Sequence, residues 1–197
     1  ILTGIFLTQI PKDKSKTIIN FFDGLSSAMI LLVEKVMLIA PFAVFALISA
    51  TVAEFGFNIL QTLLMYVVTV ASGLLFLMIF VYPTLLKTIA RQKVLPIYKA
   101  LRQVMIVAFS TSSSAATLPL EMEVAEKKLG VSNKIASFVL PLGATVNMDG
   151  TALYQAVAAM FIAQVYGIEM DLTKQITIVI TAVLASIGTA PVPGVGL

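Results

Sequence analysis

The sequence predicts an all-α integral membrane protein made of transmembrane helices and re-entrant helical hairpins, and three observations predict it. Of its 197 residues, 59% are hydrophobic and only 12% charged, with a mean hydropathy of +1.01. A soluble domain is about 45–50% apolar and about 25% charged, so too few polar side chains remain here to cover a water-facing surface. The segment 55–86 carries no charge at all and exceeds the roughly 20 residues that cross about 30 Å of hydrocarbon. Later apolar runs are interrupted by Ser-, Gly-, Asn- and Pro-containing breaks at membrane depth, where irregular backbone survives only around a cavity or inside protein.

Residues 1–54 read as the end of one helix followed by a long scaffold-type transmembrane helix. The basic stretch Lys12-Asp13-Lys14-Ser15-Lys16 reads as the loop between them. The apolar element after it reaches about Ala53, with Asp23, Glu34 and Lys35 in its first half, and fits one long tilted helix. Glu34 and Lys35 are adjacent, so they face different sides of a helix and mark its interfacial part. Residues 55–86 form the clearest transmembrane helix, with Pro83 near its end.

Residues 87–134 hold a cytoplasmic loop and a first re-entrant hairpin. Lys87, Arg91, Lys93, Lys99 and Arg102 come with no acid among them, which places the loop inside by the positive-inside rule. The uncharged run 103–120 then ends in a second basic segment with Lys127, Lys128 and Lys134. Two neighbouring basic segments belong on one side, which needs an even number of crossings. A run of that length cannot cross twice, so it dips in and turns back at Ser112-Ser113-Ser114-Ala115-Ala116. Pro119 suits the first turn of the returning helix, where its missing N–H needs no partner.

Residues 135–168 make one crossing, broken at Asn147-Met148-Asp149-Gly150, and emerge at the weakly acidic outer loop Glu169-Met170-Asp171. Residues 169–197 supply the first arm and tip of a second hairpin, breaking at Gly188-Thr189-Ala190-Pro191-Val192-Pro193-Gly194. The chain opens inside an apolar stretch without Met and stops at Gly194-Val195-Gly196-Leu197, in the middle of a turn, so it reads as a fragment of a longer polypeptide. No short-period repeat is present. An apolar arm followed by a breaker does occur once from each side, the arrangement of inverted-repeat transporters.

Composition narrows the chemistry. The chain contains no Cys and no His, which removes thiolate and imidazole metal ligands and Ser–His catalysis. The net charge of +3 resides in loops between apolar runs rather than in a nucleic-acid-binding face. No enzyme and no nucleic-acid partner are expected. Broken helix ends offer N–H groups to an anion and carbonyls to a cation, although small and polar residues at a break also serve close helix packing. Asp149 stands alone between two uncharged stretches, where a carboxylate costs a few kcal/mol unless paired or solvated. Thr145, Asn147 and Thr151 surround it with oxygens suited to a hard cation. Alternatively, Asp149 caps a helix starting at Gly150. Tyr66, Tyr82, Tyr154 and Tyr166 read as interface or packing residues.

Three segments resemble the dicarboxylate/amino acid:cation symporter family, the glutamate/aspartate transporters. They are Ser112-Ser113-Ser114-Ala115-Ala116-Thr117-Leu118-Pro119, Pro141-Leu142-Gly143-Ala144-Thr145-Val146-Asn147-Met148-Asp149-Gly150-Thr151, and Ala185-Ser186-Ile187-Gly188-Thr189-Ala190 with Pro193-Gly194. The Asn-Met-Asp-Gly-Thr helix break is highly specific, and the resemblance covers the whole chain, about half of a full-length member. It implies the family's inverted-repeat fold, a multi-pass protein of the plasma or inner membrane in contact with lipid, and a homotrimer.

By the same resemblance, backbone at Ser112 and Ser114, with the Ser114 hydroxyl, receives a substrate carboxylate. Thr151 also contacts substrate, and backbone at Val192 and Gly196 covers it. Carbonyls of Gly143 and Asn147 serve one sodium, carbonyls of Thr145, Ser186, Ile187 and Thr189 a second, and the side chains of Asn147 and Asp149 a third. Two departures stand out: Ser112 replaces an arginine found in some prokaryotic members, and Pro191 replaces a glycine common at the second tip. The family's eighth helix, which grips the amino group and side-chain carboxylate, is expected beyond Leu197. The implied function is symport of an acidic amino acid or C4-dicarboxylate with Na+, H+ being the alternative coupling ion. A serine/threonine carrier of the same fold is the nearest alternative, and an ion channel a more remote one.

Overall fold

The computed structural model describes residues 2–189 and Pro191. The described residues form helices and turns without strands, in two compact units, Ile1–Glu54 and Phe55–Leu197. In the first unit lie α1 (Leu2–Leu7), α2 (Lys12–Met37) and the greater part of α3 (Ala40–Phe55). Two expectations are corrected here. The basic stretch 12–16 is the first turn of α2 rather than a loop, with Pro11 at its N-cap position. The long helix is not continuous either, since α2 stops at Met37 and α3 starts at Ala40. Pro41 explains the division, because it has no N–H for the carbonyl of Met37 and its ring crowds that carbonyl.

The second unit begins with α4 (Asn58–Phe76), which continues through a π turn (Leu77–Val81) into α5 (Tyr82–Thr88). Together they make a 31-residue apolar helix of mean hydropathy 2.5. At 1.5 Å per residue it spans about 46 Å, more than a hydrocarbon core. This helix and Lys12–Met37 are the two among the described residues that are long and apolar enough to cross a membrane. Then come α6 (Val94–Thr111), α7 (Ser114–Lys127), α8 (Asn133–Val146), α9 (Asp149–Val165) and α10 (Leu172–Ile187). Helix α7 packs against α6 and α8, while α9 packs against α10 and α4.

Few large side chains face inward. Among the described residues, Val104, Val124 and four alanines make up the buried apolar set, whereas Phe109 is 90% exposed and Phe45 74%. Apolar surface of that extent belongs against lipid or against further protein. Polar contacts knit the exposed ends of α6, α7 and α8. Lys128 donates to Gln103 Oε1 at 3.0 Å and Asn133 to Glu126 Oε1 at 2.7 Å. Lys127 and Glu123 pair at 2.8 Å, and this hydrogen bond holds the Glu123 carboxyl below its usual range.

The seam between α4–α5 and α9 fixes the site. Tyr66 packs on Phe161 with ring centroids 5.1 Å apart. A Cβ on Gly73 would meet Leu153 at 3.0 Å, and one on Gly150 would meet Leu74 at 3.4 Å. Tyr82 reaches Asp149 at the far end. Rising numbers on one strand of the seam meet falling numbers on the other, so the two helices run antiparallel, and glycine permits their close approach.

Candidate functional site

The first break is shorter than the serine run suggests. Helix α6 ends at Thr111 and α7 starts at Ser114, leaving only Ser112 and Ser113 between them. Ser112 turns the chain in the left-handed region, φ 49° and ψ 30°, a conformation costing roughly 1–2 kcal/mol for a residue with a Cβ. Pro119 is not in the first turn of the new helix, as expected, but is the sixth residue of α7. In that position it offers no N–H to the carbonyl of Ala115, one turn nearer the tip.

Ser113 organises this tip. Its side chain caps α7 by accepting from the Ala116 N–H at 3.2 Å. Its carbonyl accepts from the Thr117 N–H at 3.2 Å and from the Thr117 hydroxyl at 2.8 Å. Ser113 and Thr117 are 8% and 3% exposed, while the expected substrate contacts Ser112 and Ser114 lie exposed on either side. Across the gap, the Ser113 hydroxyl and the Ala115 N–H both donate to the carbonyl of Pro191, at 3.2 and 3.1 Å. The first and third breaks are therefore brought together, and a carbonyl oxygen occupies the place at the helix N-terminus that an anion's oxygen would take.

The second break separates α8 from α9 at Asn147 and Met148, which have φ −105° and −112° and ψ 76° and 61°. The Asn147 N–H still bonds the Gly143 carbonyl at 2.9 Å, leaving that oxygen a second lone pair. Asp149 is the first residue of α9, half-buried, and makes no side-chain cap; the helix-capping alternative is thus corrected. Its partner is Tyr82, whose hydroxyl donates to Oδ2 at 3.1 Å. Tyr82 is accordingly more than an interface or packing residue. Thr145 turns back onto its own helix, donating to the Leu142 carbonyl at 2.9 Å, and Thr151 lies half-buried with its hydroxyl 4.0 Å from Met148 Sδ.

The third break follows Ile187. Ser186 is 3% exposed and its hydroxyl donates to the Val183 carbonyl at 2.9 Å. The Ser186 carbonyl accepts from the Thr189 N–H at 3.2 Å, and the Thr189 hydroxyl donates to the Ala185 carbonyl at 3.0 Å. Ile187 is exposed. Helix α8 touches α10, so the helices carrying Thr145 and Ser186 are neighbours. Val192 and Gly196 lie outside the described residues. Among the described residues there is no cluster of three or more His, Cys, Asp or Glu. The oxygens at these breaks are carbonyls, hydroxyls and one carboxylate, a donor set suited to a hard cation.

Two contributors were missed by sequence reasoning. Ser113 carries a signal only as one of three consecutive serines, each an acceptable N-cap by residue type, and the position of the turn selects it. Tyr82 carries a weaker signal, a hydroxyl next to a proline within a long apolar run. An apolar groove of about 700 Å³ runs between the α4–α5 helix and α6, lined by Leu77, Leu86, Ile97 and Leu101 among others and by Tyr82, the partner of Asp149.

The sequence model of the sodium:dicarboxylate symporter family matches residues 1–197. An excitatory amino acid transporter of Caenorhabditis elegans is 40% identical over 100% of this chain and 39% of its own length. The proton/sodium-glutamate symport protein of Bacillus subtilis is 43% identical over 92% of the chain and 42% of its length. Human excitatory amino acid transporter 1 is 43% identical over 94% of the chain and 35% of its length. The chain thus spans about two-fifths of the length of these relatives, all of them transporters rather than enzymes. It belongs to the sodium:dicarboxylate symporter family.

Proposed function

We propose that the polypeptide containing this chain is a sodium-coupled secondary symporter of glutamate, aspartate or a C4-dicarboxylate. The observation that carries the reading is the convergence of the Ser113 hydroxyl and the Ala115 N–H on the carbonyl of Pro191, at 3.2 and 3.1 Å. Donors at a helix N-terminus suit a carboxylate, and here a carbonyl from the opposite tip holds them together. A substrate carboxylate at this N-terminus, met by Ser112 and Ser114 backbone and the Ser114 hydroxyl, competes with that carbonyl. The segment carrying Pro191, Val192 and Gly196 then serves as a gate that closes over substrate and opens to release it. Thr151 adds a further substrate contact.

Cation coupling follows from sharing. Sodium at the carbonyls of Gly143 and Asn147, at those of Thr145, Ser186, Ile187 and Thr189, and at the side chains of Asn147 and Asp149 shapes the same breaks that hold substrate. Binding of either ligand favours the other by one reciprocal coupling free energy. The two hairpins and the broken helix α8–α9 form the moving part in an alternating-access cycle, and residues 1–54 belong to a scaffold that trimerises in the plasma or inner membrane. Protons are the second reading for the coupling ion, favoured by the name of the Bacillus subtilis relative, a proton/sodium-glutamate symport protein.

The test is uptake of labelled L-aspartate and L-glutamate into liposomes containing the full-length protein. Uptake driven by an inward sodium gradient is expected. Uptake that ignores sodium but follows a proton gradient selects the second reading, and absence of uptake under both gradients contradicts an acidic substrate.

A further inference from the structure

We propose that Tyr82 is a positioning residue for the cation site: its hydroxyl holds one oxygen of Asp149 and so presents the other to a monovalent cation. The inference rests on the reading of Asp149 as a cation ligand and adds the group that orients it. The hydrogen bond from Tyr82 Oη to Asp149 Oδ2 is 3.1 Å long and joins residues 67 apart in sequence. It leaves Oδ1 as the carboxylate oxygen for a cation. A carboxylate that is anchored on one side loses less freedom when it binds metal, and such outer hydrogen bonds orient and tune metal ligands.

The helix carrying Tyr82 is built to put it there. The π turn Leu77–Val81 ends immediately before Tyr82, whose N–H reaches back to the Leu77 carbonyl, five residues away rather than four. One additional residue in a helical turn rotates everything after it by about 100°, so without the π turn Tyr82 would face away from α9. Two features hold this irregularity. Pro83 has no N–H to close an α-helical bond to the Ile79 carbonyl, and the Tyr98 hydroxyl of α6 donates to the Met78 carbonyl inside the turn. On the other side, Gly150 lets Leu74 approach within 3.4 Å of where a Cβ would stand, which draws the start of α9 toward this helix. Single π turns are concentrated at functional sites. Here the turn aims a hydroxyl at the lone acid of a broken helix.

The experiment uses the full-length protein in liposomes and measures the sodium concentration giving half-maximal aspartate uptake for wild type, Tyr82→Phe, Tyr98→Phe, Asp149→Asn and the Tyr82→Phe/Asp149→Asn double variant. Tyr82→Phe is expected to raise that concentration about tenfold, with the half-saturating aspartate concentration at saturating sodium little changed. Tyr98→Phe keeps both site residues and is expected to shift sodium dependence in the same direction by less. It also carries the test if Tyr82→Phe fails to fold. In the Asp149→Asn background, Tyr82→Phe is expected to add nothing. Unchanged sodium dependence in folded Tyr82→Phe overturns the proposal, as does an equal shift with and without Asp149, or a silent Tyr98→Phe where it is the only folded variant. Wild-type uptake indifferent to sodium is a different failure, which removes Asp149 as a sodium ligand and this role of Tyr82 with it.

Discussion

The Ser113 hydroxyl lies 3.2 Å from the carbonyl oxygen of Pro191, although 78 residues separate them. The same serine caps α7 through the Ala116 N–H, so one side chain both starts a helix and ties the first break to the third. Local stability and contact between the tips are therefore linked at a single oxygen.

Ser113→Ala removes both interactions. Loss of the cap alone is expected to cost about 1 kcal/mol, read as a lower thermal unfolding midpoint of the purified full-length protein. The second effect is specific to the tip. This chain contains no cysteine, so in full-length protein whose remaining cysteines have been replaced, one introduced at Thr189 reports its exposure. It is expected to react faster with maleimide when Ser113 is alanine. An unchanged rate would contradict the part of the Ser113 hydroxyl in the tie, the Ala115 N–H bond to the Pro191 carbonyl being untouched by the substitution.

Glycine has opposite consequences in the two compact units. At Gly73 an added Cβ meets Leu153 at 3.0 Å, whereas at Gly24 nothing lies within 4 Å. Gly73→Ala is expected to destabilise by about 1 kcal/mol through overpacking of the seam between α4 and α9. Gly24→Ala in the middle of α2 is expected to stabilise by about 0.5 kcal/mol, through lower backbone freedom in the unfolded chain. Thermal unfolding of both variants checks the pair.

Sidedness follows from the charges. Gly130 lies in the turn between α7 and α8, close to Lys127 and Lys128, and Met170 lies between Glu169 and Asp171 ahead of α10. A cysteine replacing Met170 is expected to be labelled by a membrane-impermeant maleimide added outside intact cells, and one replacing Gly130 only after permeabilisation. Labelling of both from one side would contradict a single crossing between them.

Much of the architecture is legible in the sequence because lipid imposes a simple rule on apolar length and charge. The run 55–86 corresponds to the continuous helix Asn58–Thr88, and the break at Asn147 and Met148 lies where polar residues interrupt an apolar run. Proline is less legible. Pro41 divides what hydropathy alone joins, and Pro119 sits inside a helix rather than in its first turn, the place proline suits best. Hydropathy averages over such local backbone chemistry. The Tyr82–Asp149 contact was illegible for another reason: it depends on a π turn that rotates one helix and on glycines that let two helices close. Neither changes the apolar pattern.

The central claim is that cation and acidic substrate share one site, and reciprocal binding tests it most directly. Aspartate affinity of the full-length protein would be measured by calorimetry at low and at high sodium, for wild type and for Asp149→Asn. Wild type is predicted to bind aspartate more tightly as sodium rises, by a coupling of about 1–3 kcal/mol, and Asp149→Asn to lose much of that dependence. An aspartate affinity in wild type that does not respond to sodium, or a full response retained in Asp149→Asn, would contradict the account.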